Sequence, residues 1–415
     1  MRREDSARRR PCSSKLDAVV RFAGRPQTKQ RLCAALVLVL AMACAARAQE
    51  SAGSVSVYDH GSQIAPVTFE CTPGHKAETH LITLDSGAAR YTFRYSGCVD
   101  PSHGDLRPSS EGNFGMPDPM PANWYWGGFL QVFVNGTDAI KYRQTDMRVI
   151  ESGARGGLQA IWAHPDADVG LRLLLLPGAN HVLAYLTWKP RPPATVNSIA
   201  VHLRCYPSFF TAARGRQGER HCKTPRIDKG EPETLELVPS EDTWLLFYDA
   251  IFDKAKGEGE GPCATLVVPD AVQSGKVIIG DYAVITQIAL KPEAGAARLA
   301  FYDFAGLTNA QAEEYMKTHG AEDLRQLVET DFRPEPVRLL QLDRLKADVG
   351  ELLTQAAEDA APLRPKVDDL LARAAALGAQ ADSGDWKAEA DLATLLQDSV
   401  DLLWKLRAFA VLNAP

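Results

Sequence analysis

From Ser54 to Phe304 the chain alternates short apolar runs with turn residues. The runs are rich in Val, Ile, Leu, Phe, Tyr and Thr, and Gly, Pro, Asn and Asp interrupt them, which predicts strands and turns. The pattern is most regular in LQAIWAHPDADVGLRLLLLPGANHVLAYLTWKPRPPATVNSIAVHLRCYPS, residues Leu158 to Ser208. Four runs there are separated by PDAD, PGAN and RPPATV and read as an antiparallel meander. Further strands are predicted at VSVYD, VTFEC, HLITL, RYTFRY, FLQVFV, TWLLFY, ATLVV, KVIIG, YAVITQIAL and RLAFYDF. About fourteen strands are too many for an immunoglobulin-sized unit, so 49–306 is expected to form a large antiparallel two-sheet β-sandwich.

Past Gly306 the period changes. TNAQAEEYMKTHG predicts short helices over 307–330, with Thr308 as N-cap and Gly320 as stop. Asp331-Phe332-Arg333-Pro334-Glu335-Pro336 reads as a linker, because its two prolines oppose a helix. Over 337–415 apolar residues recur at three- and four-residue steps in three series. These are Leu339 to Leu352, Val367 to Leu377 and Leu392 to Leu406. With turns at Ala361-Pro362 and Asp382-Ser383-Gly384, they predict a C-terminal helical hairpin or three-helix bundle. The class is therefore mainly β with a helical end. The sequence contains no phosphate loop, nucleotide fingerprint or internal repeat.

Residues 1–48 stand apart. A long basic region leads into LCAALVLVLAMACAARAQE, whose apolar run is short and ends in the small-x-small pattern Ala46-Arg47-Ala48. That reads as a signal peptide cleaved near Ala48, which implies a secreted or periplasmic protein with no transmembrane span after its removal. An uncleaved anchor, or a lipoprotein through Cys44, are the alternatives. Without this leader the chain keeps 35 basic and 49 acidic residues, a net charge of −14, which argues against nucleic acid as a partner.

Five cysteines follow the leader. In an oxidising compartment the local pairs Cys71 with Cys98 and Cys205 with Cys222 are expected as disulfides, leaving Cys263 over. No CxxC or His-Cys cluster with zinc spacing is apparent, so neither a metal nor a cofactor is expected.

The candidate site lies in NWYWGGFLQVFVNG, Asn123 to Gly136, which follows a loop of over twenty residues, Val99 to Ala122. Trp124, Tyr125 and Trp126 have the flat faces and polar edges that suit sugar rings. The competing reading is that Trp124 and Trp126, two apart and so on one face, bury where a strand begins. On NSIAVHLRCY, Ile199, Val201, Leu203 and Cys205 share one face, and Ala200, His202, Arg204 and Tyr206 share the other. His202, Arg204 and Tyr206 either contact a ligand or form a solvated outer face, and His181, Tyr185 and Lys189 carry the same ambiguity. His164-Pro165-Asp166-Ala167-Asp168 reads as a turn rather than a metal site. Lys256 to Gly261 reads as an acidic mobile loop. Asp59, His60 and Ser62, with His75 and His80, lack any nucleophile-elbow context. Asn135-Gly136-Thr137 matches a glycosylation sequon.

The meander Leu158 to Phe210, ending in YPSFF, resembles the central sheet of galactose mutarotase-like supersandwich domains, over about Phe129 to Phe304. Such domains occur in aldose epimerases and in other carbohydrate-active enzymes. The epimerase motif places a catalytic His at the end of such a strand. Here the corresponding stretch is Leu203-Arg204-Cys205-Tyr206-Pro207-Ser208, in which only the Tyr has a counterpart, so the epimerase activity is not carried over.

The expectation is an exported protein whose sandwich recognises carbohydrate, with no reaction assigned. The alternatives are a lyase, hydrolase or epimerase using Tyr206 or a His, and a non-catalytic envelope scaffold that binds a protein through its C-terminal helices.

Overall fold

The computed structural model describes residues 53–66, 71–108, 114–119, 123–208, 210, 215–256 and 261–412. The expected leader, most of VTFEC and most of the loop at 256–261 lie outside the described residues.

The strands are β1 (Ser56–Pro66), β2 (Lys76–Asp85), β3 (Arg90–Cys98), β4 (Phe114–Asp118), β5 (Leu130–Val134), β6 (Thr137–Asp138), β7 (Gln144–Glu151), β8 (Gly156–Ala163), β9 (Ala167–Leu175) and β10 (His181–Pro190). They continue with β11 (Ile199–Cys205), β12 (Arg220–Lys223), β13 (Asp228–Gly230), β14 (Thr234–Leu237), β15 (Trp244–Asp249), β16 (Cys263–Val267), β17 (Val272–Ile279), β18 (Val284–Leu290) and β19 (Ala296–Asp303). The helices are α1 (Asn309–Glu329), α2 (Glu335–Leu339), α3 (Leu342–Gln355), α4 (Arg364–Asp382), α5 (Trp386–Asp398) and α6 (Val400–Leu412).

The strands form three antiparallel sheets. The nine-stranded sheet runs β13-β12-β15-β16-β19-β10-β9-β8-β7, and the six-stranded sheet runs β14-β17-β18-β11-β5-β6. A third sheet, β1-β2-β3-β4, joins the two-sheet sandwich that the sequence predicts. The main core contains Val132, Val201, Leu203, Val277 and Ile288 from the six-stranded sheet, and Leu173, Val182, Ala184, Leu299 and Phe301 from the nine-stranded one. Ile82, Tyr91, Phe93 and Phe114 of the third sheet join the same core.

The meander breaks after three strands. β8, β9 and β10 pair in succession, whereas the fourth predicted run, β11, lies in the other sheet. The crossing passes through Arg191-Pro192-Pro193, where proline removes the amide donors a continuing ladder would need.

The two large sheets differ in what covers their outer faces. In β9 and β10, Leu173 and Val182 face the main core while Leu174 and Leu183 face a second core with Ala312, Met316 and Leu327 of α1. The nine-stranded sheet is thus buried on both faces, which explains the unbroken LRLLLL run. In β11 and β18 buried and half-buried residues alternate strictly, as in a sheet with one wet face.

Helix α1 starts as predicted. The Thr308 side chain accepts from the Gln311 amide, and Gln311 accepts from the Thr308 amide, in a capping box. It does not stop at Gly320. It runs on to Glu329 as a single helix, and Gly320 is instead a contact point: a Cβ there would lie 3.1 Å from Trp244 Cδ1. Beyond the proline turn, α3, α4 and α6 share an apolar cluster through Val349, Val367 and Leu406, and α4 and α5 share another through Leu370 and Leu392. The third predicted helix is divided at Ser399 into α5 and α6.

Candidate functional site

The stretch Asn123 to Trp126 splits the expected aromatic platform in two. Asn123 to Tyr125 add an extra rung beside β11: Tyr206 N donates to Asn123 O at 3.0 Å, Tyr125 N donates to Arg204 O at 3.3 Å, and Trp124 bridges Cys205. Alternation along this rung sends Trp124 inward. The Trp124 ring is fully buried against Phe129, Phe247 and Phe301, and its Nε1 donates to Tyr302 O at 2.8 Å. The chain then turns, with Gly128 N donating to Tyr125 O at 3.1 Å, so Trp126 does not follow Trp124 into the core.

Trp124 is therefore a core residue and not a ligand contact, and the expectation that both tryptophans share one face fails at that turn. Trp124→Ala is expected to cost about 3–5 kcal/mol of stability. Urea denaturation would check this, and a loss below about 1 kcal/mol would contradict the core assignment.

The other predicted residues converge. Tyr125 is half-buried, with its ring 5.0 Å from Tyr206, 6.3 Å from Trp126 and 5.9 Å from the Arg204 guanidinium carbon. Tyr206 in turn lies 5.1 Å from Tyr282, whose ring is 62% exposed. Trp126 carries the Arg94 guanidinium at 5.1 Å. Gly115 of β4 makes room for this turn, because a Cβ there would overlap the Trp126 carbonyl. A buried arginine fixes the far side: Arg220 donates to Phe210 O at 2.6 Å and to Asp281 O at 2.8 Å, tying together the segments that carry Tyr206 and Tyr282. The sequence reading misses Arg220, one charged residue among several in RGRQGERHCK, and Tyr282, which stands alone in a turn.

His202 sits on the wet face of the six-stranded sheet, two residues from Arg204. Register places Gln131, His202, Gln287, Lys276 and Glu236 side by side on five successive strands. Gln131 also donates to Asp138 at 3.0 Å. This polar row crosses four inter-strand steps, about 19 Å. Burial holds His202 below the ordinary histidine range, and Arg204 and Lys276 reinforce that, so the ring is neutral at pH 7. Burial pushes the Tyr206 phenol well above its ordinary value, which makes it a hydrogen-bond donor rather than a base.

His181 is buried and stacks on Tyr302, while Tyr185 packs against Phe332, so neither faces solvent with His202. Lys189 is exposed and donates to Ser383 O. The turn expected over His164 to Asp168 is confined to His164–Asp166, with Asp166 N donating to His164 Nδ1, and Ala167 and Asp168 already open β9. Asp59 binds His80 at 2.7 Å, and His60 binds Thr83 at 2.9 Å. The amide of Asn135 is committed to Asp166 and Thr195.

The cysteines correct two expectations. All five are free thiols. Cys71 and Cys98 do meet, but their sulfurs lie 3.1 Å apart, beyond the about 2.05 Å of a disulfide. His75 and His103 close around them, forming a four-membered Cys-His cluster that the sequence reading excluded. Cys205 and Cys222 are not bonded either. Their sulfurs are buried in the main core with that of Cys263, where Cys205 borders the Val284 carbonyl and Cys263 the Asn123 carbonyl.

No family model and no curated protein matches the chain. Among solved structures it is similar to a GH36 α-galactosidase from Geobacillus stearothermophilus, at 11% identity and TM-score 0.30, covering 53% of this chain and 40% of that one. It is also similar to the galactosidase domain of an α-galactosidase-sucrose kinase, at 10% identity and TM-score 0.33, covering 54% and 40%. A structure from Escherichia coli K12 titled "Putative aldose 1-epimerase" matches at 9% identity and TM-score 0.26, covering 58% of this chain and 99% of that one. The chain thus spans about two fifths of the galactosidase chains it matches.

Proposed function

We propose that this chain is an exported protein that binds carbohydrate on the wet face of its six-stranded sheet. One observation carries the reading: Trp126, Tyr125, Tyr206 and Tyr282 form a continuous aromatic run that borders Arg204 and the polar row of Gln131, His202, Gln287 and Lys276. Aromatic faces suit the apolar C–H faces of sugar rings, and amide, imidazole and guanidinium groups suit their hydroxyls. An open row about 19 Å long fits an extended glycan chain better than a single sugar. Arg204 and Lys276 stand beside Glu236 and a neutral His202 on this face, which gives it both donors and acceptors for sugar hydroxyls. Export rests on the leader sequence.

The test is a glycan array probed with the full chain and with the variant Trp126→Ala, Tyr282→Ala. Both changed rings lie outside the core, so circular dichroism is expected to be unchanged. Wild type should bind, and the variant should bind about tenfold more weakly or less. Retention of no glycan, or equal binding by both proteins, would overturn the proposal.

A further inference from the structure

The Cys71, His75, Cys98 and His103 side chains come from two arms of the third sheet. Cys71 and His75 flank the turn that enters β2, where His75 N donates to Thr72 O. Cys98 ends β3, and His103 closes the short 3-10 turn that follows it. Pairing of Ala77 with Cys98 holds the two arms together.

Their ligand atoms surround one point. Cys71 Sγ lies 3.1 Å from Cys98 Sγ, 3.3 Å from His75 Nδ1 and 3.1 Å from His103 Nε2. His75 Nδ1 is 3.3 Å from His103 Nε2 and 3.9 Å from Cys98 Sγ, and all four atoms lie within 4.8 Å of one another. A tetrahedral ion with metal–sulfur bonds of about 2.3 Å and metal–nitrogen bonds of about 2.05 Å sets ligand edges of about 3.3–3.8 Å, and the separations here bracket that range, so shifts of about half an ångström at single edges would seat the ion.

Protons alone do not account for the cluster. Cys71 has one S–H to share among three neighbours, and two ring nitrogens that face each other at 3.3 Å can hold at most one hydrogen between them. A cation at the centre engages every lone pair at once. The outer groups suit that state: Asp100 Oδ2 lies 3.5 Å from His75 Nε2, where its charge favours a proton on Nε2 and so a free lone pair on the inward Nδ1. Asp100 is itself fixed by Ser102, whose amide and hydroxyl donate to its Oδ1 at 2.9 and 2.6 Å.

We propose that these four residues form a zinc site. Two thiolates with two imidazoles select zinc over calcium or magnesium, and four protein ligands leave no open position, so the ion's role is structural. It fastens the entry to β2 to the end of β3 and anchors the first turn of the loop that leads toward Asn123. The spacing, Cys-x3-His and Cys-x4-His, differs from the Cys-x2-Cys pattern of familiar zinc modules.

The test uses the untagged full chain purified under reducing conditions. Elemental analysis should find about one zinc per chain, and the Cys71→Ser, Cys98→Ser variant should hold less than about a tenth of that. To separate loss of the ion from loss of the local fold in the variant, wild type is also loaded with Co2+ after chelation. Intense tetrahedral d–d bands with thiolate charge transfer, reversed by added zinc, support the site. Overturning results are a metal-free wild type with no such cobalt spectrum, metal retained in full by the double variant, or a Cys71–Cys98 disulfide by mass spectrometry in protein prepared without reductant that also fails to take up metal once reduced.

Discussion

Asp303→Asn is expected to remove a fall in stability that the native protein shows between about pH 4 and pH 7. Burial raises the Asp303 carboxyl from its ordinary 3.8 to about 7, outweighing the opposing hydrogen bonds from the Ala305 amide and the Asn123 side chain. Its Oδ2 is buried with no hydrogen-bond partner among the described residues. Because the folded state holds this proton more tightly than the unfolded chain does, the stabilisation is full below pH 4 and is lost as pH rises through 7. A shift of this size corresponds to a loss on the order of 4 kcal/mol. An amide keeps the acceptor at Oδ1 and has no charge to bury. Urea denaturation at pH 4, 6 and 8 should show the variant gaining on wild type as pH rises. If the two curves stay parallel, the carboxyl titrates normally and the burial argument fails. The effect reaches the aromatic cluster, since Asn123 bonds Asp303 on one side and Tyr206 on the other.

What could be read in the sequence follows from what periodicity encodes. Period-two alternation located β5, β11 and β18, each with one face in the main core, while unbroken apolar runs located β15 and β19, which are buried on both faces. The same alternation placed His202 and Arg204 on the half-buried face, whereas Tyr206 lies past the end of β11 and is buried. It could not show which sheet β11 joins, since pairing is a choice among distant strands and only the prolines before it marked the change. Gly320 illustrates the opposite error. Glycine commonly ends helices, but here the space it leaves is filled by Trp244, which lies 76 residues away in sequence.

The cysteines failed for a related reason. Pairing by short sequence separation assumes that nearby sulfurs seek each other, whereas the β2–β3 hairpin brings two histidines to the same point as Cys71 and Cys98. Irregular metal-ligand spacing becomes visible only once the hairpin register is known. Trp124 and Trp126 were separated by a single turn at Gly128, and nothing in their own chemistry distinguishes the buried ring from the half-exposed one.

Glu389→Ala is expected to destabilise the protein by about 3–5 kcal/mol, more than its one ion pair would suggest. The helical end is fastened to the outer face of the nine-stranded sheet by a guanidinium with almost no solvent access. Arg172 on β9 lies 3.0 Å from Glu389 on α5, takes two hydrogen bonds to Gln159 Oε1 at 3.0 and 2.8 Å, and sits 4.1 Å over the Trp386 ring. Burial lowers the Arg172 pKa, with Glu389 opposing, but an arginine this far above neutrality stays charged. Removing Glu389 therefore leaves a positive charge in a dry interface without its carboxylate, with only the neutral Gln159 and Phe332 oxygens and the Trp386 ring to offset its desolvation. Removing both charges avoids that penalty, so Arg172→Met with Glu389→Leu should recover most of the loss. Chemical denaturation of the two single variants and the pair measures the coupling. Additive losses would show that the ion pair is incidental, and that Trp386 and Phe332 packing and the neighbouring Arg148–Asp391 pair hold the helices to the sheet without it.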